Sequence, residues 1–365
     1  MAPYRKGPPV KPELGMLYSM EVWWAGEWLK ERGYLLRPRY RSGWKPSWRI
    51  GKDFYLNYED GLAGHGIVMD AIRISDSLMV AMKRVSLSSV RQAGEEKVAT
   101  LFSNDQHSTN PLNHYIRVLE VLSVPDNINE KIIVMIFMRG VMDPSFNTIG
   151  EVLQFFKEMI EGLQYMHRNN VAHRDCSINN MAMDAKSMYT RIYHPIEQKK
   201  RFDWSGGALH HSRTRCPPKY YLFDFGFSRL YDSSQPPPLE PAIKSGGYFT
   251  PEAEEDALCD PFAADVYLLG NMMCFFGCPG IHGLKFLAEL VDDMMADDPA
   301  KRPTMDEVAS RFSVIVQKQP WWKLRTRAVK KDEIIFLKPF RTLHHILWTF
   351  SMMLMLKPAI PCPRP

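Results

Sequence analysis

Three side chains in the second half of the sequence have the types and spacing needed to transfer a phosphoryl group. Asp175 and Asn180 lie five residues apart, and Asp224 follows in Phe223-Asp224-Phe225-Gly226. A carboxylate can orient an attacking hydroxyl and accept its proton. Carboxylate and amide oxygens suit the hard ion Mg²⁺, whose coordination nucleotide phosphates complete. We therefore predict that Asp175 is the catalytic base and that Asn180 and Asp224 bind magnesium.

The residues around Asp175 support this interpretation. His173 and Arg174 precede it, after the long apolar-periodic segment 153–167. We expect His173 to support the loop by hydrogen bonding rather than to take part in the chemistry. The alternative is that these residues form a surface loop by coincidence. The helix pattern before the loop and the strand pattern after it argue against this alternative.

A lysine upstream of this loop is a candidate phosphate ligand. Lys83 ends the strand-like run Val80-Ala81-Met82-Lys83, and its ammonium can hold the α- and β-phosphates of a nucleotide. Its partner should be a glutamate of the next helix, Glu95 or Glu96. Glu95 fits better, because it leaves an apolar face made of Val98, Leu101 and Phe102. A solvated side chain is the alternative for each of them.

A glycine-containing run before Lys83 is predicted to approach the phosphates, because glycine lets backbone N–H groups come close. In the preferred register the run is Gly61, Ala63, Gly66 and Val68. This register leaves a full hairpin between Val68 and Lys83. The other register consists of Gly64, Gly66, Met69 and Ala71, and a plain turn is the alternative to both. Further residues predicted to contact the nucleotide are Ala81, Met135 and Met138.

Hydrophobic periodicity predicts a strand-rich segment followed by a helical one. Strands are predicted at 67–74, 77–85, 115–122 and 131–138, with a helix at 90–103. Further helices are predicted at 20–33, 149–168, 264–276 and 284–295. Strands with one helix form a small α+β unit, and the remainder is mainly helical.

Composition indicates a folded protein without a strong charge bias. Of the 365 residues 45% are apolar, the net charge is +5 and the pI is near 8.7. This charge allows ATP binding but does not predict nucleic-acid binding, so the basic and aromatic run 37–48 is interpreted as a loop with buried tryptophans. The six cysteines lack C-x-x-C spacing, and residues 1–12 lack a signal-peptide pattern. We expect Cys274 and Cys278, four residues apart, to be buried thiols of an apolar helix, with a metal site as the alternative. We also expect an intracellular location, cytoplasmic or nuclear.

Three segments outside these motifs are unusual. The longest apolar run, Ile346 to Leu356, is too short for a transmembrane helix, which needs about 20 residues. We expect a packed terminal helix there, with an interfacial membrane contact as the alternative. The basic segment 186–220 and the proline-rich segment 233–241 are long loops, which are usually functional or disordered.

Together these motifs resemble the protein kinase superfamily over about residues 55 to 318. Within it the sequence is similar to the expanded protein-kinase-like family of mushroom-forming fungi, through the stretches 28–34, 37–48, 172–176, 219–229 and 260–271. The resemblance implies an α+β bilobal fold with ATP between a small β-rich lobe and a larger helical lobe. The implied parts are an N-terminal extension at 1–54 with one helix packing on the small lobe, a small lobe at 55–138, a large lobe at 139–318 that contains the basic insert, and a tail at 319–365.

The resemblance also implies roles for residues outside the catalytic loop. Arg174 would receive a phosphate added between Ser228 and Thr250, because guanidinium groups bind phosphate well. Thr250-Pro251-Glu252, Asp265 to Gly270 and Asp298 to Thr304 resemble later kinase motifs. From them we expect an ion pair between Glu252 and Arg302 with a structural role.

Two functions follow from this pattern. The first is an ATP- and Mg²⁺-dependent protein kinase, with Ser or Thr favoured over Tyr as acceptor. The second is a pseudokinase acting as a nucleotide-binding or non-catalytic scaffold, because Ser177 and Asn179 stand where Ser/Thr and Tyr kinases carry a Lys or an Arg. A small-molecule kinase is opposed by the late motifs. The pattern names no protein substrate and no oligomeric state.

Overall fold

The computed structural model describes residues 25–41, 44–48, 52–62, 67–89, 92, 94–125, 127–235, 237–244, 249–276, 281–329 and 333–363. Within these residues the chain forms two compact units. The first unit is drawn from the segments before Ser89 and from 118–137 and 189–210; the second is drawn from 89–117, from 138–188 and from 211 onwards. The first is rich in strands and the second is mainly helical, so the fold is α+β as predicted.

The secondary-structure elements are as follows. The α-helices are α1 (Ala25–Glu31), α2 (Glu95–Leu101), α3 (Asp105–Ser108), α4 (Ile149–Arg168), α5 (Pro251–Glu254), α6 (Pro261–Phe275), α7 (Ala288–Met294), α8 (Met305–Gln317), α9 (Trp321–Leu324) and α10 (Lys338–Leu354). The strands are β1 (Tyr34–Leu36), β2 (Val68–Arg73), β3 (Leu78–Ser86), β4 (Val118–Ser123), β5 (Glu130–Ile136), β6 (Arg139–Gly140), β7 (Val171–Ala172), β8 (Met181–Asp184), β9 (Lys219–Leu222), β10 (Arg229–Leu230), β11 (Glu240–Pro241) and β12 (Leu258–Cys259). Of the helices described, none is both long enough and apolar enough to cross a lipid bilayer.

The first unit is built on a five-stranded antiparallel sheet with the order β1-β2-β3-β5-β4. The predicted hairpin is confirmed as β2 and β3, and the two later predicted strands are β4 and β5. The sequence did not predict β1. A three-residue strand shows no periodicity, and β1 forms only by pairing with a strand more than thirty residues away. The segment assigned to the N-terminal extension therefore contributes to the sheet itself.

Side chains of this sheet alternate between two faces. One face packs with α1 in an apolar core made of Leu29, Tyr34, Leu36, Tyr40, Met69, Ala71, Val80, Met82, Leu122, Ile132 and Val134. The strand register places another set on the opposite face, namely Val68, Ala81, Lys83 and Met135. Four residues predicted to bind the nucleotide therefore lie on the face of the sheet opposite the apolar core.

The helix predicted at 20–33 is described from Ala25 onwards as α1, and residues 20–24 lie outside the described part. Gly33 follows the helix with φ +87°, a backbone conformation that favours glycine at a helix C-terminus. The Ile74 N–H donates to the Gly33 carbonyl at 2.8 Å. The glycine predicted to end the helix therefore also fixes it against the end of β2.

Basic residues of the segment 37–48 have structural roles in the first unit. Arg37 is buried and forms ion pairs with Asp70 at 2.9 Å and Glu59 at 3.3 Å. Trp48 is buried, and Trp44 donates its indole N–H to Asp60 at 3.1 Å. The interpretation of this segment as a loop with buried tryptophans agrees with this packing.

The basic insert is folded onto the protein. Its residues 189–210 belong to the first unit, although the sequence assigned them to the large lobe. His194 is fully buried and its Nε2 lies 3.1 Å from the Glu59 carboxylate, while Trp204 donates to a backbone carbonyl at 3.0 Å. Arg213, in the second unit, is also buried and donates to two backbone carbonyls at 2.6 Å. The Arg213 guanidinium therefore forms hydrogen bonds inside the protein instead of being exposed to solvent.

The second unit is organised around α4, which has the predicted bounds. The Thr148 side chain accepts a hydrogen bond from the Glu151 N–H at 3.0 Å and so caps the helix. The predicted apolar face is buried and consists of Leu153, Phe156, Ile160, Leu163 and Met166. The helices predicted at 264–276 and 284–295 are α6 and α7. A shorter helix than predicted, α2, begins at Glu95.

Candidate active site

The loop that carries Asp175 is shaped by one buried carboxylate of α6. Asp265 is fully buried and accepts hydrogen bonds from the backbone N–H groups of His173 at 2.7 Å and Arg174 at 2.6 Å. Arg174 takes φ +67°, a conformation that non-glycine residues adopt only when the surroundings hold it. The carboxylate of Asp265 therefore supplies the hydrogen bonds that hold the strained turn before Asp175.

Asp175 and Asn180 are held together by a short 3₁₀ turn, Ile178–Asn180. The Asn180 Nδ2 donates to the Asp175 carbonyl at 2.9 Å, and both residues are buried. Because the amide nitrogen is used in this bond, the amide oxygen is the group of Asn180 that remains for a cation. The backbone thus fixes the distance between the predicted base and one predicted metal ligand.

Asp224 is brought to the same place by hydrogen bonds between two loops. The Phe223 N–H donates to the Asn180 carbonyl at 3.0 Å, and the His173 Nε2 lies 3.2 Å from the Phe223 carbonyl. Asp224 adopts φ +66° and its side chain accepts from the Gly226 N–H at 3.3 Å. These hydrogen bonds therefore bring the segments that carry Asp175, Asn180 and Asp224 together.

Aromatic rings and the helix α2 support this group of residues. Phe225 is buried, and its ring centroid lies 5.9 Å from that of His173 and 5.6 Å from that of Tyr115. The turn that contains it packs against α2. The His173 ring is fully buried and forms hydrogen bonds with the Asp175 N–H and the Phe223 carbonyl, so it acts as a support, as expected, and does not face a substrate.

The oxygen donors of the group fit a hard divalent cation. Asn180 contributes an amide oxygen and Asp224 a carboxylate, which is the ligand chemistry of Mg²⁺. Among the described residues no cluster of three or more His, Cys, Asp or Glu has metal-binding geometry. Two protein ligands suit a cation that nucleotide phosphates also coordinate, since Mg²⁺ is usually bound by one or two protein groups plus phosphates.

Three other predicted nucleotide residues are described, each within its own unit. In the first unit Lys83 lies on β3 opposite Val68, and its side chain is largely buried. In the second unit Glu95 begins α2 and is buried at 2% exposure, and Met138 precedes β6. A buried glutamate and a buried lysine both need partners of opposite charge. The ion pair between Lys83 and Glu95 stays a prediction.

A family model described as a protein kinase domain matches residues 61–278, which is more than half of the chain. The chain belongs to the protein kinase family. It is similar to serine/threonine-protein kinase prk-2 of Caenorhabditis elegans, with 22% identity over 304 residues that cover 78% of this chain and 63% of that protein. It is also similar to serine/threonine-protein kinase pim-2 of Danio rerio, with 29% identity over 191 residues that cover 45% of this chain and 58% of that protein.

The aligned region is shorter for a plant relative. The SNF1-related protein kinase catalytic subunit alpha KIN12 of Arabidopsis thaliana is 27% identical over 151 residues, which cover 39% of this chain and 28% of that protein. The chain therefore spans less than two thirds of the length of each of these three curated relatives.

The predicted glycine-containing run lies in the connection between β1 and β2. Residues 63–66, which include the predicted Ala63 and Gly66, lie outside the described part. Gly61 ends a short 3₁₀ turn, and an added Cβ would stand 1.8 Å from the carbonyl oxygen of Tyr55. The close backbone approach explains this glycine by packing. Its predicted contact with phosphate stays a prediction.

Replacing Gly61 by Ala is expected to lower the free energy of unfolding by about 1–3 kcal/mol, because the new methyl group overpacks against Tyr55. Chemical denaturation measures the change. Gly140→Ala is the matched control, since a Cβ there meets no atom within 4 Å. Equal stability of the two variants would contradict the packing explanation.

Ser177 stands where Ser/Thr kinases place a lysine toward the γ-phosphate. The residue is buried, and its hydroxyl has no hydrogen-bond partner among the described residues. A serine hydroxyl is also shorter than a lysine side chain and carries no charge, so it does not replace the cation toward the γ-phosphate. The neighbouring Cys176 is fully buried as well, and burial raises the pKa of its thiol well above the usual value.

Replacing Ser177 by Ala is expected to leave the protein equally stable or more stable by about 1 kcal/mol, because an unsatisfied hydroxyl is removed. Any loss of phosphoryl-transfer rate should stay far below the roughly 10²-fold cost of deleting an electrostatic contact to the transition state. Thermal unfolding and initial rates measure both effects. A 10²-fold slower variant would show that the hydroxyl does contact the phosphate.

Arg174 already has an acidic partner in the segment after Asp224. Its Nη1 lies 2.7 Å from the Glu240 carboxylate, and its Nη2 donates to the Pro241 carbonyl at 3.1 Å. Arg229 approaches the second Glu240 oxygen at 3.2 Å. The carboxylate therefore occupies the position that the sequence assigned to an added phosphate. Glu240 was missed, because a single acid at the end of a proline-rich loop carries no spacing signal.

The two ends of the predicted phosphorylation segment are engaged in the fold. Ser228 is buried and its hydroxyl donates to the His173 carbonyl at 3.1 Å. Thr250 is buried and caps α5 by accepting from the Ala253 N–H at 3.2 Å. Neither hydroxyl is available to an upstream kinase in this conformation.

The predicted ion pair between Glu252 and Arg302 is confirmed. Arg302 Nη2 lies 2.9 Å from the Glu252 carboxylate, and both side chains are buried. Arg302 also donates to the backbone carbonyls of Ala296 and Asp297, and its guanidinium lies 4.8 Å from the centroid of the Tyr267 ring. The pair lies outside the catalytic group and fixes the end of the segment from Asp224 to Glu252, which we call the activation segment. This is the structural role expected.

Proposed function

We propose that the protein transfers the γ-phosphate of Mg-ATP to a hydroxyl of another protein, with Ser or Thr favoured over Tyr. The observation that carries this proposal is the grouping of Asp175, Asn180 and Asp224 by hydrogen bonds between two loops. These are the carboxylate and oxygen donors that phosphoryl transfer needs at one place. Membership of the protein kinase family supports the same reaction.

Each residue has a proposed task. Asp175 orients the acceptor hydroxyl and accepts its proton, while Asn180 and Asp224 hold Mg²⁺ beside the phosphates. The cation, when bound, neutralises charge that develops on the transferred phosphoryl group. Lys83 holds the α- and β-phosphates and is positioned by Glu95, and Val68, Ala81, Met135 and Met138 contact the nucleotide, as do Gly61 and Gly66.

Finer assignments rest on resemblance. The names of two relatives specify serine/threonine-protein kinases, which supports a Ser or Thr acceptor. The stretches 28–34 and 37–48 support the expanded fungal kinase-like family. Use of ATP supports a place inside the cell, cytoplasmic or nuclear, and the described cysteines, which form no disulfide, agree with a reducing compartment.

Transfer of label from γ-labelled ATP tests the proposal. Wild type is incubated with Mg²⁺ and a mixed library of peptides containing Ser, Thr or Tyr, beside Asp224→Asn and the exposed control Asp292→Asn. We expect transfer by wild type and by the control, no transfer after chelation with EDTA, and a loss of about 10²–10³-fold in Asp224→Asn.

The same samples distinguish a pseudokinase. Thermal shift with ATP measures nucleotide binding independently of transfer. A folded wild type that binds ATP but transfers no phosphate, even after incubation with an upstream kinase, would overturn the proposal and favour the scaffold. Transfer by Asp224→Asn at the wild-type rate would remove Asp224 from the proposed site.

A further inference from the structure

The helix α10 is attached to the second unit by one face only. Met352 is buried at 4% exposure, and His345 Nε2 lies 2.9 Å from the backbone carbonyl of Arg325. Trp348 and Thr349 on the same side are half-buried. These contacts fix the rotation of the helix about its axis, so they also decide which side chains point away from the protein.

The face that points away is apolar along its whole length. Six side chains, each between 57% and 74% exposed, form what we call the C-terminal stripe: Phe340, Leu343, Ile346, Leu347, Phe350 and Leu354. Helices on a protein surface usually carry polar residues on this side. A continuous apolar face of this kind marks an interaction site rather than an ordinary surface.

The charge of the surrounding chain is strongly positive. Residues 318–365 contain ten Lys and Arg but two Asp and Glu, a net charge of +8, although the whole chain has only +5. The helix α10 itself has no acidic residue. Glu333 before it is already paired with Arg327 at 2.5 Å and with Arg341 at 3.2 Å. The positive charge of the protein is thus concentrated in the segment that exposes the stripe.

We propose that the C-terminal stripe docks on the surface of an anionic lipid bilayer, with α10 lying in the plane of the membrane. An apolar helix face enters the boundary between headgroups and acyl chains, and nearby cations are attracted to anionic lipids. Seventeen residues make a helix of about 25 Å, a length suited to lying along a surface. The second unit, to which α10 is attached, would thereby be held at the membrane.

Charge favours a bilayer over a second copy of the chain. Pairing two stripes would bring two segments of net charge +8 together, and this repulsion opposes the contact. A bilayer rich in acidic lipids supplies the opposite charge over the whole area and also takes up the phenylalanine and leucine side chains. The interfacial contact considered from the sequence is therefore favoured over a fully packed terminal helix.

Vesicle co-sedimentation of the 365-residue chain tests this proposal. The vesicles are phosphatidylcholine alone or phosphatidylcholine with phosphatidylserine, each at low and high salt. The test variant is Leu347→Gln with Phe350→Gln, and the matched control is Ile128→Gln with Val314→Gln, which replaces two exposed apolar residues elsewhere. Circular dichroism and peptide phosphorylation confirm that each variant is folded.

We expect wild type and the control to bind the anionic vesicles at least about tenfold better than the neutral ones, with weaker binding at high salt. The test variant should lose about tenfold or more of this binding while remaining folded. Equal binding by the test variant, or no binding by wild type, would overturn the proposal. A dimer in sedimentation velocity that the test variant abolishes, without vesicle binding, would assign the stripe to a second copy.

Discussion

Asp175→Asn is expected to lower the rate of phosphoryl transfer by about 10²–10⁴-fold, the usual contribution of a general base. An amide can still hydrogen-bond the acceptor hydroxyl but cannot take its proton. The KM for ATP should change little, because Asn180, Asp224 and Lys83 are the proposed groups on the nucleotide side. Initial rates over a range of ATP concentrations separate the two effects.

The substitution tests chemistry rather than folding. Asp175 takes part in the loop through its backbone, whose carbonyl accepts from Asn180 and whose N–H donates to His173 Nδ1 at 3.3 Å. The variant keeps both bonds and an amide has nearly the size of a carboxylate, so thermal unfolding should show a folded protein. Asp292→Asn provides the control for a charge lost at an exposed site. An active Asp175→Asn protein would assign the base to another residue.

The catalytic loop could be predicted because its information is local. Asp175 and Asn180 are five residues apart, and a hydrogen bond within the turn between them joins the two residues. The helix α4 could be predicted for a similar reason, since twenty residues repeat one apolar period. The pair Glu252 and Arg302 is distant in sequence, but each partner belongs to a recognisable motif.

The elements that escaped prediction form by contacts between distant segments. Strand β1 is three residues long and exists through its pairing with β2. The basic insert looks solvated in sequence, yet His194 is buried against Glu59, which lies 135 residues earlier. Burial opposes ionisation of Glu59, but His194 and Arg37 outweigh it and lower the pKa of this carboxyl. The residue spacing in either segment does not indicate these partners.

Glu240 has the same kind of non-local role, and it has a consequence for activation. In a kinase regulated by phosphorylation, an added phosphate pairs with the arginine before the catalytic aspartate and orders the activation segment. Here the carboxylate of Glu240 already pairs with Arg174, and strand β11 that carries it is paired with β12. We therefore expect wild type to keep its full activity after treatment with a phosphatase.

Glu240→Gln should lower the rate of phosphoryl transfer by the phosphatase-treated protein. The change leaves Arg174 buried beside a neutral amide, and breaking a buried ion pair in this way costs about 3–5 kcal/mol when no other group compensates. Because Arg174 still donates to the Pro241 carbonyl, we expect the activation segment to be destabilised by less than this amount. A shift of about 1.4–2.8 kcal/mol lowers the ratio of ordered to disordered segment about 10- to 100-fold, which is the largest decrease in rate expected.

Three samples make the experiment decisive. Phosphatase-treated wild type, Glu240→Gln and the exposed control Glu255→Gln are compared for transfer to a peptide, with circular dichroism to confirm folding. The control should match wild type, because its carboxylate is exposed and lies outside the Arg174 cluster. If phosphatase treatment inactivates wild type, Arg174 needs a phosphate after all. If Glu240→Gln stays fully active, the Glu240 carboxylate is not needed for activity. A Glu240→Asp variant with intermediate activity would instead show that the carboxylate must reach the guanidinium, since the shorter side chain keeps the charge and loses the contact.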